Sequence, residues 1–136
     1  MSLKSVNPNN IHQIWDEVAP MLDKAMAHSG GEYKMEHLKL YLSEGRQNLL
    51  VVVDSDDKII GALTVEMINF PDERVAFVTS VGGKMMTGPD NWAEFESWCR
   101  YNGATMIRGA AFESVARLWK KLFNVESRYI MVEKKL

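Results

Sequence analysis

Few side chains in this 136-residue sequence are of a type and at a spacing that could do chemistry. His12, His28 and His37 all fall in the first two helical segments, and none stands four residues from another. Four residues is the spacing at which two imidazoles on one helix face hold a metal, so these read as solvated or capping groups and no metal site is expected. Cys99 is the single cysteine. It can form neither a disulfide framework nor a cysteine-rich zinc site, and beside Trp98 on an apolar face it reads as core rather than nucleophile. No Ser–His–Asp arrangement is indicated. Three features remain. Glu66 is a carboxylate between Val65 and Met67 in a long strand-like run. The stretch from Val81 to Asn91 contains Gly82, Gly83, Lys84 and Gly88 between a strand and a helix. From Arg108 onward basic residues, among them Arg117, Lys120, Lys121 and Arg128, outnumber Glu113, Glu126 and Glu133. Such a basic third could meet phosphates, an acidic protein or nucleic acid, and a solvated helix face with a tail explains it equally well.

Periodicity sets out the elements that must position these residues. Leu3 to Val6 reads as a short first strand. Ile11, Ile14, Trp15, Val18, Leu22, Ala25 and Met26 follow one face of a 3.6-residue period. Asn7 or Asn10 can cap that helix and Gly30-Gly31 can end it, while Pro20 is expected to kink or break it. A second helix, about Glu32 to Ser43, places Met35, Leu38 and Leu42 on one face and stops at Gly45. Leu49 to Val53 is a continuous apolar run, as in a strand covered on both faces. Turns at Asp54–Asp57 and Asn69–Glu73 join it to strands Lys58–Ile68 and Arg74–Val81, an antiparallel meander. Asp90 can cap a helix carrying Trp92, Phe95 and Cys99 and ended by Gly103. A short strand Thr105–Gly109 follows, then a helix marked by Val115, Leu118, Trp119 and Leu122, then a last strand Ser127–Glu133. Strand, helix, strand with so long a connection implies a right-handed parallel crossover. The order (β)ααβββαβαβ predicts an α/β fold with a mixed sheet between helices, and a length near that of one domain places 1–136 in one unit.

Composition fits that reading. Lys plus Arg is 16 and Asp plus Glu is 18, a formal charge of −2, which excludes a strongly basic nucleic-acid binder on bulk charge. With 46% apolar and 25% charged residues the chain is of ordinary globular composition and not of disordered type. The longest apolar run is too short to cross a bilayer, and no signal peptide is evident, so a reducing cytoplasm is the expected compartment.

The meander feeding a parallel strand–helix–strand resembles the GNAT superfamily of acyl-CoA-dependent N-acetyltransferases. Three segments carry the resemblance: Leu49–Gly61 (LLVVVDSDDKIIG), Val75–Gly88 (VAFVTSVGGKMMTG) and Ala116–Phe123 (ARLWKKLF, where many members read like ARLYEKLGF). The chain is most similar to small GNAT-like proteins encoded by tailed phages and prophages. The resemblance implies acetyl-CoA as cosubstrate and direct attack of a primary amine, from a small molecule or a protein, on its thioester. It implies that the fourth and fifth strands splay, so that pantetheine pairs with the fourth strand near Thr79, Ser80 and Val81. The following loop, with Gly82, Gly83, Lys84 and Gly88, would turn toward the pyrophosphate at a helix N-terminus. The family's usual loop spacing is absent, and Asp90 at that helix start would repel a diphosphate. Trp119 stands where the family commonly has the tyrosine that protonates the thiolate, and an indole cannot do so. Tyr129 is then the candidate substitute phenol, and Glu66 the candidate general base. A rival implication is a catalytically inactive phage accessory or virion-associated protein that keeps the fold for binding or assembly, with virion or packaging proteins or a second copy as partner. A nucleic-acid accessory role for the basic third is the weaker alternative.

Overall fold

The computed structural model describes residues 2–26, 34–84, 89–111 and 113–136. Gly30-Gly31, Gly88 and Phe112 lie outside the described residues, as do Met85-Met86-Thr87. Strand β2 (Asn48–Val53) is buried from Leu49 to Val53, because helices cover both faces of the sheet it lies in. Leu49, Val51 and Val53 pack with Ile11, Val18 and Leu22 on one face. Leu50 and Val52 pack with Phe95 and Cys99 on the other. The unbroken apolar run thus has a physical reason.

The sheet has five strands in the order β1-β2-β3-β4-β5. β1 (Ser2–Val6), β2, β3 (Ile59–Asn69) and β4 (Arg74–Gly83) are successively antiparallel, and β5 (Met106–Gly109) joins β4 in parallel. Helices α1 (Ile11–Met26) and α2 (Met35–Ser43) cover one face, and α3 (Pro89–Tyr101) covers the other. Helix α4 (Glu113–Phe123) is fastened to α3 by Trp92 and Phe123, stacked with ring centroids 4.6 Å apart. The expected meander and the parallel crossover through α3 are both present.

Three local expectations are corrected. Helix α1 runs unbroken through Pro20. Its ring is exposed, and complete burial of Ile11, Val18 and Leu22, at roughly 1.5–3 kcal/mol per side chain, outweighs the ~3 kcal/mol an internal proline costs. Asp90 is not a cap: α3 starts at Pro89, whose missing N–H suits the first turn, and Asp90 follows within that turn. The strand expected at Ser127–Glu133 is absent, and residues 124–136 follow α4 without helix or strand. A run of strand-forming residues such as Tyr129–Val132 makes a strand only against a ladder partner, and none is paired with it among the described residues. The apolar stripe of α4 is also left uncovered, since Val115, Leu118 and Leu122 are exposed while Phe123 is buried. Before α1, the Asn7 side chain accepts from the Asn9 N–H at 2.9 Å and caps a 3-10 turn (Pro8–Asn10). His37 is a capping histidine, its Nδ1 accepting from the Lys34 N–H at 3.0 Å.

Candidate functional site

β5 is short, and that shortness creates the feature of interest. It pairs with β4 only from Val75↔Met106 to Val78↔Gly109. β4 continues through Thr79, Ser80, Val81, Gly82 and Gly83. Along that stretch no strand stands on the β5 side among the described residues, so main-chain donors and acceptors on that side have no strand partner among those residues. On its other side the same stretch pairs with β3 as far as Gly61↔Gly83.

A bulge marks where the pairing with β5 ends. Thr64 pairs with Ser80 and Val65 with Val78, so Thr79 is an extra residue on β4. Its hydroxyl donates to Gln47 Oε1 at 2.8 Å and lies 2.6 Å from Thr64 Oγ1. Thr64 Oγ1 is in turn hydrogen-bonded to Ser80 Oγ. A hydroxyl has one proton to give. With the Thr79 proton committed to Gln47, Thr64 donates to Thr79 and Ser80 donates to Thr64. Four polar side chains are thereby joined in one directed chain, with Gln47, Thr64 and Ser80 buried. Sequence reading singles out Thr79 and Ser80 but misses Thr64 and Gln47. The available signal is a threonine inside the apolar run Gly61–Val65.

The glycines have structural work of their own. Gly82 lies against the main chain of α1, and a Cβ on it would be 2.3 Å from the Met21 carbonyl oxygen. Gly83 has φ +67°, in the left-handed region that glycine adopts freely. The Lys84 N–H donates to the Ile60 carbonyl at 2.9 Å, closing the strand end.

Glu66 is exposed on β3 and pairs with Phe77, which pairs with Arg108 on β5. Met67, Ala76 and Ile107 face the α3 side, so by alternation Glu66, Phe77 and Arg108 share the opposite face. The Arg108 Nη2 meets Glu73 Oε2 at 3.3 Å, and its guanidinium lies 5.7 Å from the Phe70 ring centroid. Tyr129 is on the segment past α4, exposed, with the Arg128 guanidinium 5.9 Å from its ring centroid. The structure therefore joins Thr79 and Ser80 and sets Glu66 one strand away, with Tyr129 outside that group. Trp119 packs over the end of β5: its Cζ3 lies 3.4 Å from where a Cβ on Gly109 would stand, beside Val78. Asn91, in the first turn of α3, is buried, and its Nδ2 has no partner among the described residues. Burial pushes the Cys99 thiol up from 9.0 to about 12, with the Glu96 carboxylate adding to the effect, as for a core thiol rather than a nucleophile.

Solved structures share this architecture. An aminoglycoside acetyltransferase from an uncultured soil metagenomic sample, in complex with sisomicin, matches with a TM-score of 0.73 at 12% identity, over 99% of this chain and 95% of that one. A probable acetyltransferase matches with a TM-score of 0.70 at 11% identity, over 99% of this chain and 100% of that one. A ribosomal-protein-alanine N-acetyltransferase from Brucella melitensis biovar Abortus 2308 matches with a TM-score of 0.64 at 10% identity, over 98% and 100%. The likeness is one of fold: a mixed sheet flanked by helices, as in GNAT acetyltransferases. No family model and no curated protein matches the sequence. Among the described residues no helix is long and apolar enough to cross a membrane.

Proposed function

We propose that this chain is a GNAT-type N-acetyltransferase that holds acetyl-CoA in the wedge between β4 and β5 and acylates a primary amine. The observation that carries the reading is the run of β4 from Thr79 to Gly83 beyond its last β5 partner. An extended chain of amides such as pantetheine pairs with an open strand edge as another strand would. Two further features fit the group and one opposes it. The N-terminal end of α3, a helix of 13 residues, carries Asp90 in its first turn, and that carboxylate works against the attraction of the helix dipole for a pyrophosphate. The buried Asn91 Nδ2 in its first turn is a donor without a partner among the described residues. Gly82 and Gly83, followed by Lys84, bring bare backbone and a cation to the wedge end.

When bound, acetyl-CoA supplies an activated acyl group and a thiolate leaving group. In this reading Thr79, Ser80 and Val81 align the donor through their main chain, and the hydroxyl chain to Gln47 keeps the bulge in place. Glu66, on the neighbouring strand and exposed, takes the proton of the incoming amine directly or through water. Tyr129 is the remaining candidate phenol for the thiolate.

Trp119 favours a second reading, a GNAT fold that binds without turning over, to which the narrower likeness to phage accessory proteins belongs. An indole at the end of β5 packs well and donates no proton to a thiolate.

A thermal-shift titration with acetyl-CoA, followed by a thiol-release assay with a panel of amines, tests both. Saturation to one hundred times the dissociation constant stabilises by about 2.7 kcal/mol. A rise in Tm with amine-dependent thiol release supports the transferase. A rise in Tm without release selects the binding fold. A flat titration removes the wedge as an acyl-CoA site.

A further inference from the structure

Arg108 on β5 carries a mostly buried cation that its own chain satisfies poorly. Its side chain is 21% exposed, and a guanidinium offers five N–H donors. Among the described residues it makes one hydrogen bond, from Nη2 to Glu73 Oε2 at 3.3 Å. Its Nε is buried and has no partner among those residues. Charge-assisted bonds of this kind close to about 2.7–2.9 Å and are often bidentate. Glu73, itself 37% exposed, therefore holds the guanidinium loosely. A cation taken out of water costs free energy until its donors are matched. Phe70, half-exposed at the β3–β4 turn, lies with its ring centroid 5.7 Å from the guanidinium.

The register sets a row of complementary groups beside this cation. Glu66 and Arg108 both pair with Phe77, one from each side, and all three share the sheet face away from α3. With neighbouring strands about 4.8 Å apart, the Glu66 and Arg108 Cα atoms stand roughly 10 Å from one another. The core that α1 and α2 make on that face takes Leu49, Val51, Val53 and Ala62 from the sheet and leaves the row out. Glu66 is exposed and enters none of the ion pairs among the described residues. The row thus presents an anion, an apolar ring and a cation in line. We propose that it is a binding site for an ω-amino acid, with the ammonium at Glu66, the methylene chain across Phe77 and the carboxylate on Arg108 in place of Glu73. The amine acylated in the reaction proposed above then belongs to this class, a step that rests on that reading, whereas the site itself does not. Charge and length select the class. A plain alkylamine leaves the guanidinium with its one long contact, and a diamine sets a second cation against it. An α-amino acid has both charges on one carbon and cannot span two strand spacings.

Binding and turnover of 5-aminopentanoate and pentylamine, which differ only in the carboxylate, test it on the full chain. Titrations followed by nitrogen-15 NMR are run with and without coenzyme A. The Arg108 Nε–H signal is identified by its loss in Arg108→Gln. 5-Aminopentanoate should shift that signal and bind at least about tenfold more tightly than pentylamine. Arg108→Gln should bring the two affinities together. Glu73→Gln removes the competing carboxylate and should tighten 5-aminopentanoate binding by at least about twofold. A purely structural ion pair would leave that affinity unchanged, which would overturn the proposal. Equal affinities of the unmodified protein for the two compounds, or binding of neither under both conditions, also overturn it and require no variant. Thiol release from acetyl-CoA separates the two readings. Selective binding without release keeps the site and removes the transferase, whereas release with equal kcat/KM for both amines keeps the transferase and overturns the site.

Discussion

Gly82 lies directly against the main chain of Met21, so close that a Cβ on Gly82 would stand 2.3 Å from the Met21 carbonyl oxygen. The neighbour is helix backbone and cannot rotate away as a side chain could. The residue after Pro20 thus seats α1 on the end of β4, next to the proposed wedge. Gly82→Ala must lift the helix or bend the strand, and overpacking of this kind costs about 1–3 kcal/mol. The expected outcome is a lower urea midpoint with an unchanged m value. An unshifted midpoint would mean that α1 is not held at this point.

The hydroxyl chain at the bulge makes a second prediction. Thr64→Val keeps shape and removes the group that receives from Ser80 and gives to Thr79. Ser80 is buried and would lose its acceptor, a loss of about 1–3 kcal/mol in unfolding free energy. Thr64→Ser restores the hydroxyl and should recover most of that loss. If valine and serine are equally stable, the chain carries no energy.

Cys99 gives a prediction in pH. Its folded pKa of about 12 lies above the ordinary 9.0, so the folded state holds the proton longer than the unfolded state does. The contribution is fully present below pH 9 and is lost as pH rises toward 12. Between those values unfolding releases a proton, and stability falls with pH by at most about 1.4 kcal/mol per unit. Cys99→Ala should show a shallower decline over that window, which cancels the titration of other groups common to both proteins. Thiol reagents at neutral pH should label the parent only after denaturation. Fast labelling of the native protein would refute the buried assignment.

What could be read ahead of the coordinates follows from where the determining contact lies. Leu49 to Val53 displays double burial in its own composition, and Ile11, Val18 and Leu22 display a helix face in their spacing. Both patterns are local. The extra residue at Thr79 is a property of two strands at once, since only the pairing of Thr64 with Ser80 and Val65 with Val78 reveals it. Alternation along β4 alone cannot, so Thr79 and Ser80 are legible in the sequence while Thr64 and Gln47 are not. Residues 127–133 fail for the same reason in reverse: their pattern is strand-like, but a strand needs a neighbour, and among the described residues they have none. Pro20 misleads because the cost of a helix-breaking residue is local, whereas the burial that offsets it comes from the sheet.

The proposed chemistry meets its sharpest test at Glu66 and Trp119. Glu66 stands across from Phe77, one pairing step short of where β4 loses its β5 partner. In the proposed reaction this exposed carboxylate meets the amine directly or through one water. Glu66→Gln keeps the shape and removes the basicity, and general bases contribute about 10²–10⁴-fold. kcat/KM should fall within that range while the acetyl-CoA thermal shift is kept, because the residue does not line the donor wedge. Equal rates and equal pH profiles for glutamate and glutamine would remove Glu66 from the reaction. Trp119→Tyr approaches from the other side by setting a phenol where the indole packs over Gly109. If departure of the thiolate limits the parent, the variant gains at least about tenfold in kcat, by the same acid contribution. A variant that binds acetyl-CoA and gains nothing shows that the parent is not limited by a missing acid, and leaves Tyr129→Phe to report whether the tail's phenol supplies it.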